Sequence, residues 1–176
     1  KKRGLVHVPE DRQRMGLVTE FFSSENLIFG YQDQLPFSKS AILNFKSILA
    51  HSNKILKDYD VRPNRPGLKT SNFSGGNQQK IVLGRELNKN PRILLVGQPT
   101  RGVDIGAIEF IHQRLIDMRD KGAAIFLVSV ELDEVLSLSD RIAVMFDGKI
   151  VGEKENENVT DRELGLLMAG GTEWAI

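Results

Sequence analysis

Hydrophobic and polar positions change character near residue 74. Before it, apolar residues come in short, uneven groups. GLVHVP over Gly4–Pro9 predicts a strand ended by proline, and PEDRQRMG over Pro9–Gly16 predicts a polar loop. Between Ala41 and Leu56, Ile42, Phe45, Ile48, Leu49, Ile55 and Leu56 fall at roughly helical spacing, and RPNRPG over Arg62–Gly67 cannot continue a helix. From Ser74 onward the pattern is regular. A helix from Gly76 to about Asn88, capped by Ser74, ends before Asn90-Pro91. ILLV over Ile93–Val96 then reads as a buried strand, Ile105–Met118 as a helix with apolar residues at 105, 108, 111, 115 and 118, and AIFLV at 124–128 as a strand. A short helix is predicted over Glu131–Leu138, and IAVMF at 142–146 is the next strand. Asp147-Gly148 is a two-residue hairpin signal, and Thr160 with Glu163 forms a capping box for a last helix. Alternating strands and helices with nearly unbroken apolar strands predict an α/β fold with a mostly parallel sheet covered on both faces.

Composition narrows this little. The 176 residues are 40% hydrophobic and 27% charged, which fits an ordinary globular domain, and a net charge of +1 gives no sign of a polyanion-binding surface, so no nucleic-acid partner is expected. There is no cysteine, hence no disulfide framework or thiolate zinc site. No apolar run approaches the roughly 18 residues of a membrane span, so work at a membrane would be done from its side.

The first candidate chemistry is FSGGNQQK, Phe73–Lys80. A serine and two glycines at a helix start offer a hydroxyl, bare N–H groups and the positive end of the helix dipole, all favourable to a phosphate oxygen. Read alone, the triplet is better explained as an ordinary helix cap, since Ser caps and glycine turns are common. His7, His51 and His112 lack ligand spacing, so no metal site is expected. Glu131, Asp133 and Glu134 read as a solvated face and a dipole-favoured first turn, Asp140-Arg141 as a structural turn, and Trp174 as a lone aromatic in the tail.

The ordered set VPEDRQRMGLV, SGGNQQK, QPTRGVDIGAIEFIHQRL and VSVELDEVLSLSDRIAVMFDGKIVG resembles the ATP-binding cassettes of ABC transporters over nearly the whole chain. It is most similar to the second cassette of double-cassette proteins that drive bacterial uptake of simple sugars or, more closely, nucleosides. The resemblance implies an ABC-type P-loop NTPase cassette fragment with an inserted helical subdomain. Helical subdomain and signature helix would cover about 17–90, core sheet and helices about 91–152, and a C-terminal helix about 160–169. Ser74, Gly75, Gly76, Asn77 and Gln78 match the signature motif, which in the family reaches the γ-phosphate of ATP held by the opposing cassette. Pro9–Arg12 falls at the Q-loop, with Glu10 in place of the glutamine. Arg101–Asp104 matches the D-loop, where Asp104 would touch the opposing cassette, a role compatible with capping the Ile105 helix.

Departures from the family are as informative. Its strand end carries an Asp that orders the magnesium shell and a Glu that polarises the attacking water, and here stand Gly97 and Gln98. The switch histidine position holds Val130. Gln98 can orient a water but cannot take its proton, and a missing general base costs about 10²- to 10⁴-fold in rate. No G-x-x-x-x-G-K-[ST] phosphate loop occurs in the sequence, so this chain alone is expected to be inactive and to hold no nucleotide tightly. A chain cut from a longer protein is the simplest explanation, and the sheet left uncovered should make the piece self-associate or swap elements.

In full length the resemblance implies an ATPase using ATP and magnesium. It would sit at the cytoplasmic face of the membrane with the first cassette of the same polypeptide and the permease subunits, and indirectly with a substrate-binding lipoprotein. The alternatives are a non-transport cassette ATPase and a purely regulatory partner-binding module. The solute is not encoded in these residues.

Overall fold

Pro9 ends the first strand where the pattern predicts, and β1 spans Leu5–Val8. The computed structural model describes residues 4–171. They form two compact units that divide after Phe126.

In the first unit β1 pairs in parallel with β4, Ile93–Gly97, bringing Val6 opposite Leu94 and Val8 opposite Val96. The sheet order is β1-β4-β5, with β5 at Ala124–Val128. Residues 9–92 are the crossover that a parallel pair requires. They hold a π-helical turn at Arg12–Gly16, α1 at Ser23–Ile28, the two-residue strands β2 (Ser38–Lys39) and β3 (Ile42–Leu43), and α2 at Phe45–Asp58. A 3₁₀ turn at Thr70–Asn72 leads to α3 at Gly75–Leu87. The second helix thus starts at Phe45, later than the Ala41 that hydrophobic spacing suggests. Ser40 and Ala41 take φ values of 52° and 64° to turn the β2–β3 hairpin, and the Asn44 side chain caps the helix by accepting from Ser47 N at 3.1 Å.

α3 is the central helix, buried at Gly76 and at every residue from 78 to 87. α4, Ile105–Asp120, follows a cap at Asp104. One face of the sheet, with Val6, Val8, Leu94 and Val96, is buried, and α3 packs against β1. The other is not covered as predicted: Leu5, Ile93 and Phe126 are 44%, 45% and 65% exposed. Unbroken apolar strands indicate two faces built for burial, but the pattern does not tell which of them the same chain covers.

In the second unit α5, Leu132–Leu138, precedes the antiparallel hairpin of β6 (Arg141–Phe146) and β7 (Lys149–Glu155). Asp147 and Gly148, with φ of 46° and 72°, make the predicted two-residue turn. α6, Asp161–Met168, starts at the predicted capping box: Thr160 Oγ1 accepts from Glu163 N at 3.3 Å, and the Glu163 carboxylate accepts from Thr160 N at 2.9 Å. Ile142, Val144, Leu164 and Leu167 form its core, with Leu132 and Val135 packed against them. Glu134 corrects the expected solvated face of α5: it is only 2% exposed, whereas Glu131 and Asp133 are exposed. Leu132, Val135 and Leu136 make the side of the helix that packs on the core, so Glu134 is buried on a different side from the one the apolar pattern marks. Trp174 lies outside the described residues.

Candidate functional site

Parallel pairing of β1 with β4 sets the site by placing the chain after Val8 beside the chain after Val96. Gly97 ends β4 against this loop, where a Cβ would lie 3.3 Å from Glu10 N. Gln98 follows with φ of 44°, a left-handed conformation that non-glycine residues seldom take. Its carbonyl accepts from Arg101 N at 3.2 Å, which starts the turn that Gly102, at φ 63°, carries into α4. Asp104 closes it, its carboxylate accepting from Ala107 N at 2.9 Å.

The loop after β1 is stiffened by Asp11, whose carboxylate accepts from Gln13 N and Arg14 N at 3.1 and 3.0 Å. From this turn Arg12 reaches across to the 101–102 turn: Nη1 donates to Arg101 O at 2.7 Å and Nη2 to Gly102 O at 3.1 Å. In return Arg101 pairs with the Glu10 carboxylate. Burial lowers the Arg12 pKa, and the neighbouring Asp11 charge opposes that shift. Gln13 Nε2 donates to Gln78 Oε1 at 3.1 Å, and Gln78 Nε2 donates back to Thr70 O and Phe73 O at 3.1 and 3.2 Å. This binds the first turns of α3 to the same loop.

At the start of α3 the Ser74 hydroxyl accepts from Asn77 Nδ2 at 2.9 Å and from Asn77 N at 3.4 Å. Asn77 is itself oriented by Arg62 N, which donates to its Oδ1 at 2.7 Å. Arg62 belongs to a turn held by Asp60. The Asp60 carboxylate accepts from Arg62 Nε and sits near buried Lys80, and its pKa is lowered first by the Arg62 hydrogen bond. With both hydroxyl lone pairs engaged, the remaining function of Ser74 is its proton, on an exposed helix terminus. Gly75 and Gly76, the first two residues of the helix, carry N–H groups that an α-helix leaves without internal acceptors.

Both glycines also face inward contacts. A Cβ on Gly75 would lie 2.5 Å from Arg12 Nη2 and 2.7 Å from Gly102 O, and one on Gly76 would lie 2.8 Å from Asp104 Oδ2. Glu10, Ser74–Gln78, Gly97 and Asp104 are therefore brought into one neighbourhood. Val130 belongs to the other unit and is 60% exposed there. Arg12 and Arg101 fall within the two loop motifs of the sequence but Arg62 in neither, and none of their contacts was foreseen, because the partners are carbonyls, a side-chain amide and a carboxylate farther along the chain. The only hint was an arginine in each of the two loops. Among the described residues no three His, Asp or Glu side chains group as a metal would require.

No family model matches the chain. Over 170 residues it is 48% identical to the nucleoside import ATP-binding protein NupA of Lactococcus lactis, covering 97% of this chain and 34% of that protein. It is 44% identical over 170 residues to the guanosine import ATP-binding protein NupO of Bacillus subtilis, covering 97% and 33%. The chain thus spans about a third of the length of these curated relatives. Among solved structures, a nucleotide-free ATP-binding cassette from an ABC transporter matches with a TM-score of 0.68 at 26% identity, covering 88% of this chain and 62% of that one. A dimeric cassette in a post-hydrolysis state with ADP and Pi shares the fold, with a TM-score of 0.69 at 23% identity over 88% of this chain and 64% of that one.

Fold and motifs together define the α/β cassette of an ABC ATPase. In sequence, the chain is similar to the ATP-binding proteins of nucleoside and sugar importers, about a third of whose length it spans. Among the described residues, no helix is long and apolar enough to cross a membrane.

Proposed function

We propose that the chain is part of the second cassette of a double-cassette ATP-binding protein in a bacterial importer for nucleosides or simple sugars. In this reading it supplies the signature side of the ATP site held by the opposing cassette, while its own site is degenerate. One contrast carries the reading: Ser74 stands at an exposed helix terminus with its oxygen held by Asn77 and its proton left to donate, whereas β4 ends in Gly97 followed by a left-handed Gln98, neither with a carboxylate.

The donor set fits a phosphate oxygen, through the Ser74 hydroxyl and the Gly75 and Gly76 N–H groups at the positive end of α3. It does not fit magnesium at the strand end, where neither Gly97 nor Gln98 carries an anionic oxygen. Bound ATP with magnesium would supply the scissile phosphoanhydride and its charge neutralisation. This chain's part is to orient the phosphate with Ser74, held by Asn77, and to present Asp104 toward the opposing site. The partners are then the first cassette of the same polypeptide and the permease, on the cytoplasmic face of the membrane, with residues 17–90 as the helical subdomain. A relative named for nucleoside import and the one-third coverage of its length support this setting.

In the full-length protein, Ser74→Arg should remove most ATPase activity, because it fills the phosphate position. Gln98→Ala should change it little. The reverse ordering overturns the unequal-site reading.

A further inference from the structure

We propose that Arg12 is a positioning residue that locks the turn at residues 98–104 and the start of α3 to the loop after β1, so that movement of that loop is transmitted to Asp104. This rests on the function proposed above for what the movement achieves, but the lock itself rests on geometry. Arg12 touches both other motifs. Its two terminal nitrogens fork onto successive carbonyls of the turn, Arg101 O and Gly102 O, and its Nη2 occupies the space that a Cβ on Gly75 would need. Hydrogen bonds donated by a cation are about twice as strong as neutral ones, and a planar fork fixes direction as well as distance.

Apart from the neighbouring Asp11 charge, these carbonyls are the partners that fix the guanidinium. Its Nε is buried without a hydrogen-bond partner, a cost borne only if the terminal nitrogens are well placed. The reciprocal pair between Glu10 and Arg101 joins the same two loops but is exposed on both sides, so salt and water leave it little worth. The lock is therefore Arg12 and not the acid beside it. Downstream, the turn it holds ends in Asp104, whose carboxylate both caps α4 and sits where a Cβ on Gly76 would fall. Gly75 and Gly76 are thus required by contacts within the chain as well as by any phosphate.

The test is amide hydrogen exchange on the full-length protein assembled with its permease, for wild type, Arg12→Gln, Arg12→Lys and Gly75→Ala. Lysine keeps the charge but not the fork, and alanine at 75 keeps the arginine but takes its space. Each variant should speed exchange over residues 98–104 by about tenfold, the order of one lost charge-assisted hydrogen bond, with α6 unchanged. Because both terminal nitrogens of Arg12 are committed to the turn's carbonyls, kcat for ATP should fall while KM stays within about twofold. Wild-type exchange over 98–104 in Arg12→Lys and Gly75→Ala overturns the lock, whatever Arg12→Gln does to folding. If exchange rises but Ser74→Arg leaves ATPase activity intact, the lock stands and the assignment of the opposing ATP site falls.

Discussion

His51 shows how a single side chain can carry a pH dependence that the motif residues do not. It stands on α2 with its ring edge-on to Phe37 at 4.8 Å and to Tyr31 at 6.5 Å, and its Nε2 is buried without a partner. Desolvation, helped by the Lys54 charge one turn on, lowers its pKa below the usual imidazole value of about 6.5. The folded state therefore resists protonation that the unfolded chain accepts. The resulting stability is present above about pH 6.5 and is lost as pH falls through the folded pKa. The melting temperature should drop between pH 7.5 and pH 5.5, and His51→Phe, which keeps the ring contacts, should remove most of that drop. An equal drop in the variant would assign it to other groups.

At the scale of elements, α3 matters most, because it presents Ser74 while being buried almost all round. Its polar residues must then be satisfied inside the protein. Arg85 donates to Gly16 O at 2.8 Å, to Asn26 O at 3.4 Å and to the Glu86 carboxylate at 2.7 Å, and Lys89 completes the pair at 2.7 Å. Removing Arg85 leaves buried Glu86 with Lys89 alone and takes from Gly16 O its guanidinium donor, so Arg85→Ala should cost about 2–3 kcal/mol by urea denaturation. A loss below about 1 kcal/mol would mean that water replaces the guanidinium.

The same helix marks what the sequence disclosed. Its cap at Ser74, the helix behind Asp104, the Asp147-Gly148 turn and the Thr160 capping box were legible because each is settled within four residues. Arg12 reaching Gly102, Arg62 orienting Asn77, the burial of Glu134 and the left-handed Gln98 were not, because packing beyond the local sequence decides them. The Ser40-Ala41 turn escaped for another reason. Neither residue type favours positive φ, so hydrophobic spacing ran the helix through it.

For the molecule as a whole, the exposed face of the first unit's sheet has the largest consequence. Leu5, Ile93 and Phe126 lie on three neighbouring strands, and registered pairing brings Leu5 directly opposite Ile93. Side chains of this size lose about 25 cal/mol for each Å² of apolar surface left in water, and a contiguous patch invites a second surface. In the assembled protein proposed here, other parts of the polypeptide would cover that face. For the 176-residue chain by itself, a second copy is the available cover. Light scattering across a hundredfold concentration range should show association that grows with concentration. The double substitution Ile93→Lys and Phe126→Lys should shift it toward monomer without changing the hairpin of β6 and β7, since charges on this face repel across any symmetric contact. A wild-type chain that stays monomeric at high concentration would mean that the exposed strands are tolerated as they stand. Association undiminished by the lysines would place the contact on another surface, with exposed Leu35, Ile42 and Phe45, in and beside the β2–β3 hairpin, next to be tested.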